Sequence, residues 1–273
     1  PYVRISSGAE CSRGSSRHSA FHTFPDSTSI LKAGLMKDDP SDAPLAPHDW
    51  RSLYPFESHR ATIRGQGLHY LDEGTGPVLL LLHGNPTWSF MWREMVLALR
   101  GQYRLIVPDH IGCGLSDKPG PREYSYHLAQ RIDDIVQLVE QLGLERVSLI
   151  AHDWGGAIGM GAAAAAPSRF SRFVLMNTAA FLLQRCPPLI RLCHIPGIGR
   201  LGVQGLNLFV RAALRVTVER PQRMTPAVRA GYLAPYDSWR SREAVYRFVM
   251  DIPLRSTHPS RATLTALEAA LPQ

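Results

Sequence analysis

Apolar and polar positions change their rhythm three times along the chain. Past His59, Ala61-Thr62-Ile63-Arg64, Gly65-Gln66-Gly67 and Leu68-His69-Tyr70-Leu71 read as two strands around a tight glycine turn, a β-hairpin. Uninterrupted apolar runs follow at residues 78–82, 103–107, 147–150 and 173–176. Such runs suit strands buried on both faces, which predicts parallel pairing. Helical patterns at residues 90–99, 126–142 and 156–166 alternate with them. The alternation predicts a doubly wound α/β sheet with right-handed crossovers. After Asn177 it stops, and residues 178–260 read as helices broken by Pro187-Pro188, Pro196-Gly197, Pro221, Pro226, Pro235 and Pro253, an inserted helical cap.

Residues 1–47 show neither rhythm and are rich in Ser, Pro, Gly, His and Arg, as in Ser6-Ser7-Gly8 and Arg13-Gly14-Ser15-Ser16-Arg17. They are expected to form a disordered tail. The chain opens at Pro1, and Met36 stands just before Lys37-Asp38-Asp39-Pro40, so residues 1–35 read as an upstream extension of the reading frame. A transit peptide is the alternative, and weak amphipathic periodicity argues against it. The expected division is tail 1–47, first part of the core 48–177, cap 178–260, and the start of a return to the core at 261–273.

Composition narrows the class. With 273 residues, 45% of them hydrophobic and 19% charged, a fibrous or disordered chain is excluded. No apolar run reaches the ~18 residues of a membrane-spanning helix, so a soluble, cytoplasmic protein is expected. The net charge of +7 is concentrated: residues 178–260 hold twelve Arg and no Lys against Glu219, Asp237, Glu243 and Asp251. A solvated helical face explains that excess, and so does docking to an acidic protein partner or a membrane surface. No nucleic-acid motif accompanies it, so nucleic acid is not expected as a partner. Cys11, Cys113, Cys186 and Cys193 have no CxxC spacing, so reduced thiols are expected and neither a zinc site nor any cofactor is read.

The chemistry concentrates in two turns. Val147-Ser148-Leu149-Ile150-Ala151-His152-Asp153-Trp154-Gly155-Gly156 is an apolar strand that ends in a small-x-acid-x-Gly-Gly turn and enters an Ala-rich helix. Small residues on either side let strand and helix approach, which pushes the Asp153 side chain out at the end of the sheet. There the positive end of the helix dipole favours an ionised carboxylate. An ordinary helix-capping Asp fits the same turn. The second turn, Leu82-His83-Gly84-Asn85-Pro86-Thr87-Trp88, follows a buried strand where α/β-hydrolases supply part of an oxyanion hole. Backbone N–H groups near Asn85 and Trp154 can stabilise an oxyanion, and the Asn85 amide and Trp154 indole are neutral donors able to hold a departing anion. Turn formation by Asn85 and packing by Trp154 are the structural alternatives.

His83-Gly84-Asn85-Pro86-Thr87-Trp88, Asp109-His110-Ile111-Gly112-Cys113-Gly114-Leu115-Ser116 and His152-Asp153-Trp154-Gly155-Gly156 together resemble the haloalkane dehalogenase family of α/β-hydrolases, over residues 48–260. Asn177-Thr178-Ala179-Ala180-Phe181, Tyr232-Leu233-Ala234-Pro235-Tyr236-Asp237-Ser238-Trp239 and Asp251-Ile252-Pro253-Leu254 further resemble its β-lactone decarboxylase branch, from bacterial long-chain olefin biosynthesis. The resemblance implies an α/β-hydrolase fold with a mostly parallel sheet, a helical cap and no cofactor. It implies Asp153 as nucleophile through a covalent aspartyl ester, Asn85 and Trp154 as leaving-group donors, and a small apolar or long-chain substrate. A cis-β-lactone is favoured and a haloalkane is the alternative. Epoxide hydrolases share the Asp-Trp-Gly turn but usually carry an aromatic residue in place of Asn85. In the cap, Leu182, Leu183, Leu189, Ile190, Leu206, Leu208 and Phe209 are candidates to line a slot for alkyl chains, or simply to seat the cap.

The sequence also departs from the family. Its general-base His and orienting acid lie after the seventh and eighth strands, and Gln273 arrives before either, so the sheet reads as cut short and neither role is assigned. His83, His110 and His152 lie in structural turns and His258 near the end of the chain; none is taken as the base. Turn chemistry accounts for Asp109 and Asp117. An inactive fragment or a noncatalytic binder is the opposing expectation.

Overall fold

The computed structural model describes residues 49–178, 180, 182 and 188–270. The expected tail, Leu183, the Leu189 side chain and the last three residues lie outside the described residues. Strands β1 (His59–Ile63) and β2 (Gln66–Glu73) form the expected hairpin, with Ile63 opposite Gln66. Its turn is Arg64-Gly65, at φ 49° and 79°, one residue earlier than the sequence suggested. A two-residue hairpin turn that matches strand twist needs two successive left-handed residues, and glycine takes the second without steric cost. Gln66 and Gly67 are already paired with β1.

Strands β3 (Val78–Leu82), β4 (Arg104–Pro108), β5 (Val147–His152) and β6 (Phe170–Met176) run parallel in a six-stranded sheet of order β1-β2-β4-β3-β5-β6. Only β2 runs against them, pairing antiparallel with β1 on one side and β4 on the other. The uninterrupted apolar runs resolve into two cores at period two, as strand geometry requires. Leu79 and Leu81 join Leu105, Val107 and Ile150 on one face; Leu80 and Leu82 join Ile106, Leu149 and Ala151 on the other. Among the described residues β6 pairs with β5 alone, and its Val174 is 51% exposed.

Between the strands lie α1 (Arg93–Leu99), entered through a 3₁₀ turn Ser89–Trp92, α2 (Leu128–Gln141) and α3 (Trp154–Ala165). On α2, Leu128, Ile132, Ile135, Leu138 and Val139 form one buried stripe against the sheet.

The cap contains α4 (Pro188–Cys193), α5 (Ile198–Arg200) continued by a π turn Leu201–Gly205, α6 (Leu208–Val216), α7 (Pro226–Leu233) and α8 (Glu243–Met250). Proline opens α7, where Pro226 needs no N–H, and the Thr225 hydroxyl caps the Val228 amide at 3.3 Å. Val203, Val210, Leu214, Val245 and Val249 seat the cap on the core that holds Trp88 and Phe90. Finally α9 (Pro259–Ala270) packs back on α2 and α3. Among the described residues no helix is long and apolar enough to cross a membrane. Cys113 and Cys193 are buried free thiols.

Of the cap residues nominated for an alkyl slot, the five that are described divide. Leu182, Ile190 and Phe209 pack against the cores, whereas Leu206 and Leu208 are 58% and 53% exposed. Leu206 follows the π turn Leu201–Gly205 and Leu208 follows Asn207 at φ 56°, so a single helical period does not run through the segment.

Candidate active site

Asp153 stands between the end of β5 and the first residue of α3, at φ 53° and ψ −129°. A non-glycine residue holds this conformation only when its surroundings over-determine it, at a cost of about 1–3 kcal/mol. The surroundings are visible: the Gly156 amide and the Thr178 hydroxyl both donate to the Asp153 carbonyl, at 3.0 and 2.5 Å. Beneath the turn, a Cβ on Gly155 would sit 2.8 Å from the His83 carbonyl oxygen and nearer still to that of Leu82, both backbone atoms that cannot step aside. Gly155→Ala is therefore expected to lower stability by about 1–3 kcal/mol, read as a fall in the urea midpoint; an unchanged midpoint would show that this close approach is not required.

The carboxylate is aimed across the top of the sheet at the turn after β3. The Asn85 amide donates to Asp153 Oδ1 at 2.7 Å. Burial pushes the Asp153 carboxyl above the usual carboxylate range, against the hydrogen bonds from the Trp154 and Asn85 amides that favour its charge. The Trp154 amide at the head of α3 thus acts in the expected direction, favouring the charge, and burial acts against it.

Asn85 is held from above. Its Nδ2 donates to the Val245 carbonyl of α8 at 3.2 Å, which leaves that nitrogen a second N–H, and its buried Oδ1 has no hydrogen-bond partner. Two further bonds tie the same turn to the cap: Trp88 Nε1 to the Gly231 carbonyl at 3.0 Å and the Tyr236 hydroxyl to the Thr87 carbonyl at 3.1 Å. Trp154 lies 5.6 Å from the Phe248 ring of α8, whose face also carries the Arg131 guanidinium at 3.5 Å. Asp153, Asn85 and Trp154 thus come together as the two turns implied. Val245, Phe248 and Thr178 complete the surroundings and were missed; the apolar spacing of Val245 and Phe248 was their only trace.

The remaining histidines and aspartates near the turns are structural. His83 Nδ1 donates to the Gly84 carbonyl at 2.9 Å, so its Nε2 accepts from the His110 amide at 3.1 Å. The His110 ring donates in turn to the His83 carbonyl at 2.9 Å. Burial holds both imidazoles below their ordinary pKa, so neither is placed to take a proton. His152 Nδ1 is buried without a partner. Asp109 is more than a turn former: it accepts from Ser89 N at 2.6 Å and Leu115 N at 2.9 Å and pairs with His69 Nδ1 at 2.8 Å. Asp117 accepts from Gly67 N at 2.6 Å and pairs with Arg60.

A mostly parallel sheet of this strand order, with a sharp strand-to-helix turn at Asp153 after β5, a glycine turn after β3 and helices inserted after β6, defines an α/β-hydrolase. In agreement, residues 77–206 match the alpha/beta hydrolase fold family. The chain belongs to the haloalkane dehalogenase family of α/β-hydrolases. It is 43% identical over 226 residues to a cis-3-alkyl-4-alkyloxetan-2-one decarboxylase from Shewanella oneidensis, covering 81% of this chain and 71% of that protein. Its identity to the enzyme of the same name from Xanthomonas campestris is 42% over 232 residues, 80% of this chain and 76% of the relative. A haloalkane dehalogenase from Mycolicibacterium paratuberculosis shares 34% over 224 residues, 76% of this chain and 69% of the relative. Among solved structures, the haloalkane dehalogenase of Bradyrhizobium elkani superposes with a TM-score of 0.72 at 27% identity, over 79% of this chain and 76% of that one.

Proposed function

We propose that Asp153 attacks an electrophilic carbon to form a covalent aspartyl ester, and that the favoured substrate is a cis-β-lactone bearing long alkyl chains. The observation that carries this reading is the Asp153 carboxylate at the apex of the elbow, gripped by the Asn85 amide at 2.7 Å. Attack on the ring carbon that bears oxygen forms the ester C–O bond and breaks the ring C–O bond, so the leaving group is the substrate's own carboxylate. The free N–H of Asn85 and the Trp154 indole are the donors for that developing anion. Loss of CO2 then sends the electron pair of the breaking C–C bond into the new C=C bond, and the ester C–O bond breaks to return Asp153 as carboxylate. Atoms and charge balance without water, so this route requires no general base. The names of the two relatives at 43% and 42% identity support the same substrate.

Haloalkane hydrolysis is the second reading, favoured by the dehalogenase structures that superpose on the chain. It begins with the same displacement but needs an activated water to cleave the ester. Incubation with a disubstituted cis-β-lactone and, separately, with 1-bromobutane decides between them. Olefin and CO2 are expected to appear faster than bromide. Bromide release faster by about tenfold, equivalent to about 1.4 kcal/mol of transition-state stabilisation, would replace the lactone reading with the hydrolytic one.

A further inference from the structure

We propose that His127, Asp251 and His258 form a binding site for one divalent transition-metal ion, with zinc as its natural occupant, which clamps the end of the cap to the core. The three residues come from separate elements: His127 is the N-cap of α2, Asp251 the C-cap of α8, and His258 the residue before α9. Each offers one donor atom, and the three atoms lie within 4.8 Å of one another. The rings of His127 and His258 stand nearly perpendicular, 82°, with centroids 5.9 Å apart.

Hydrogen bonding accounts for only half of the carboxylate. Asp251 Oδ1 pairs with His127 Nδ1 at 2.8 Å and accepts from Ser260 Oγ at 2.6 Å. Asp251 Oδ2 is buried in a residue 3% exposed and has no hydrogen-bond partner. A buried carboxylate oxygen without a donor is costly and calls for a ligand. His258 Nδ1 carries its lone pair and accepts from the Ser260 amide at 3.2 Å; coordination through Nδ1 takes that lone pair in place of this bond, and Nε2 keeps the proton.

Two imidazoles and one carboxylate are the donors of zinc and its first-row neighbours, whereas calcium and magnesium take oxygen ligands. Donor atoms around a tetrahedral zinc lie about 3.4 Å apart for bonds of about 2.1 Å. Closing the trio on an ion therefore takes side-chain shifts of about 1 Å. His127 can make them, its side chain being 42% exposed while that of Asp251 is 2% exposed and fixed. His127 Nδ1 gives up its bond to Asp251 Oδ1, the ion is held by the two imidazoles and by Oδ2 while Oδ1 keeps the Ser260 hydroxyl, and water fills the fourth position. The sequence showed no sign of this site, because it holds no cysteine and its residues are scattered over the chain.

The test is equilibrium dialysis of the untagged chain against zinc, with bound metal counted by atomic absorption and melting followed with and without zinc. About one zinc per chain is expected, with a melting point raised by about 5 °C at a hundredfold excess over the dissociation constant. His127→Ala and His258→Ala should each weaken binding at least about tenfold and remove the zinc-dependent rise, while their circular dichroism stays that of the wild type. Cobalt substitution should give visible absorption that His258→Ala abolishes. Failure of the wild type to retain stoichiometric zinc, or equal retention by the His127→Ala/His258→Ala double variant, overturns the proposal and leaves a hydrogen-bonded helix junction. The result does not depend on which reaction Asp153 performs.

Discussion

Asp153→Ala is expected to abolish turnover of both a long-chain cis-β-lactone and a bromoalkane, by about 10⁴-fold or more, and to leave the circular dichroism spectrum unchanged. Either chemistry begins with one carboxylate oxygen displacing a leaving group at carbon, and no other described side chain stands at the apex of the elbow. Substantial residual turnover would remove Asp153 from the mechanism. Its isostere separates chemistry from stability. In Asp153→Asn the side-chain oxygen still accepts from the Asn85 amide, but no charge is buried. Because burial raises the Asp153 pKa above its ordinary value, the native state binds that proton more readily than the unfolded chain. Wild-type stability therefore improves as pH falls from the raised native value towards the ordinary carboxylate value. Asp153→Asn should be inactive, melt higher than wild type at pH 8, and lose that advantage as the pH falls through this window. A lower melting point for the variant across the whole range would contradict the direction of the shift.

Asp109→Ala should cost about 3–5 kcal/mol, a large share of the ~5–15 kcal/mol that holds a domain folded. The residue is fully buried, and its carboxylate joins three stretches of chain: His69 in β2, the Ser89 amide at the entrance to α1, and the Leu115 amide. Truncation leaves all three donors unpaired in a dry interior. Burial alone would raise this carboxyl, yet its hydrogen bond with His69 and the neighbouring histidines and Leu115 amide bring it below its ordinary pKa. The sign is thus opposite to that of Asp153: the contribution of Asp109 is complete above the ordinary carboxylate value and is lost as pH falls through the lower native one. Urea unfolding of the variant at neutral pH checks the magnitude, and a loss under about 1 kcal/mol would show that the cluster repacks around the gap.

The strands were legible because Leu79 to Leu82 must satisfy two cores at once, and only a strand presents alternate residues to both. The elbow was legible for a local reason, since the chemistry of Asp153 is written in the small residues beside it. Legibility fails wherever the partner is distant in sequence. Asn85 meets Val245 across 160 positions and His127 meets Asp251 across 124, separations at which no spacing rule operates. Asp109 looked like a turn residue because its turn is local, whereas its bonds to His69 and Ser89 span 40 and 20 positions. The exposure of Leu206 and Leu208 was not legible, because the helix is interrupted between Leu201 and Leu208 by a π turn and a left-handed Asn207.

The three bonds that join the turn after β3 to the cap make the cap part of what holds Asp153 in place. Lifting the cap as a whole would pull Asn85, Thr87 and Trp88 away from Val245, Tyr236 and Gly231, and with them the amide that grips the Asp153 carboxylate. Cap and apex are thereby coupled: a displacement of α7 or α8 reaches Asp153 through a single hydrogen-bonded turn.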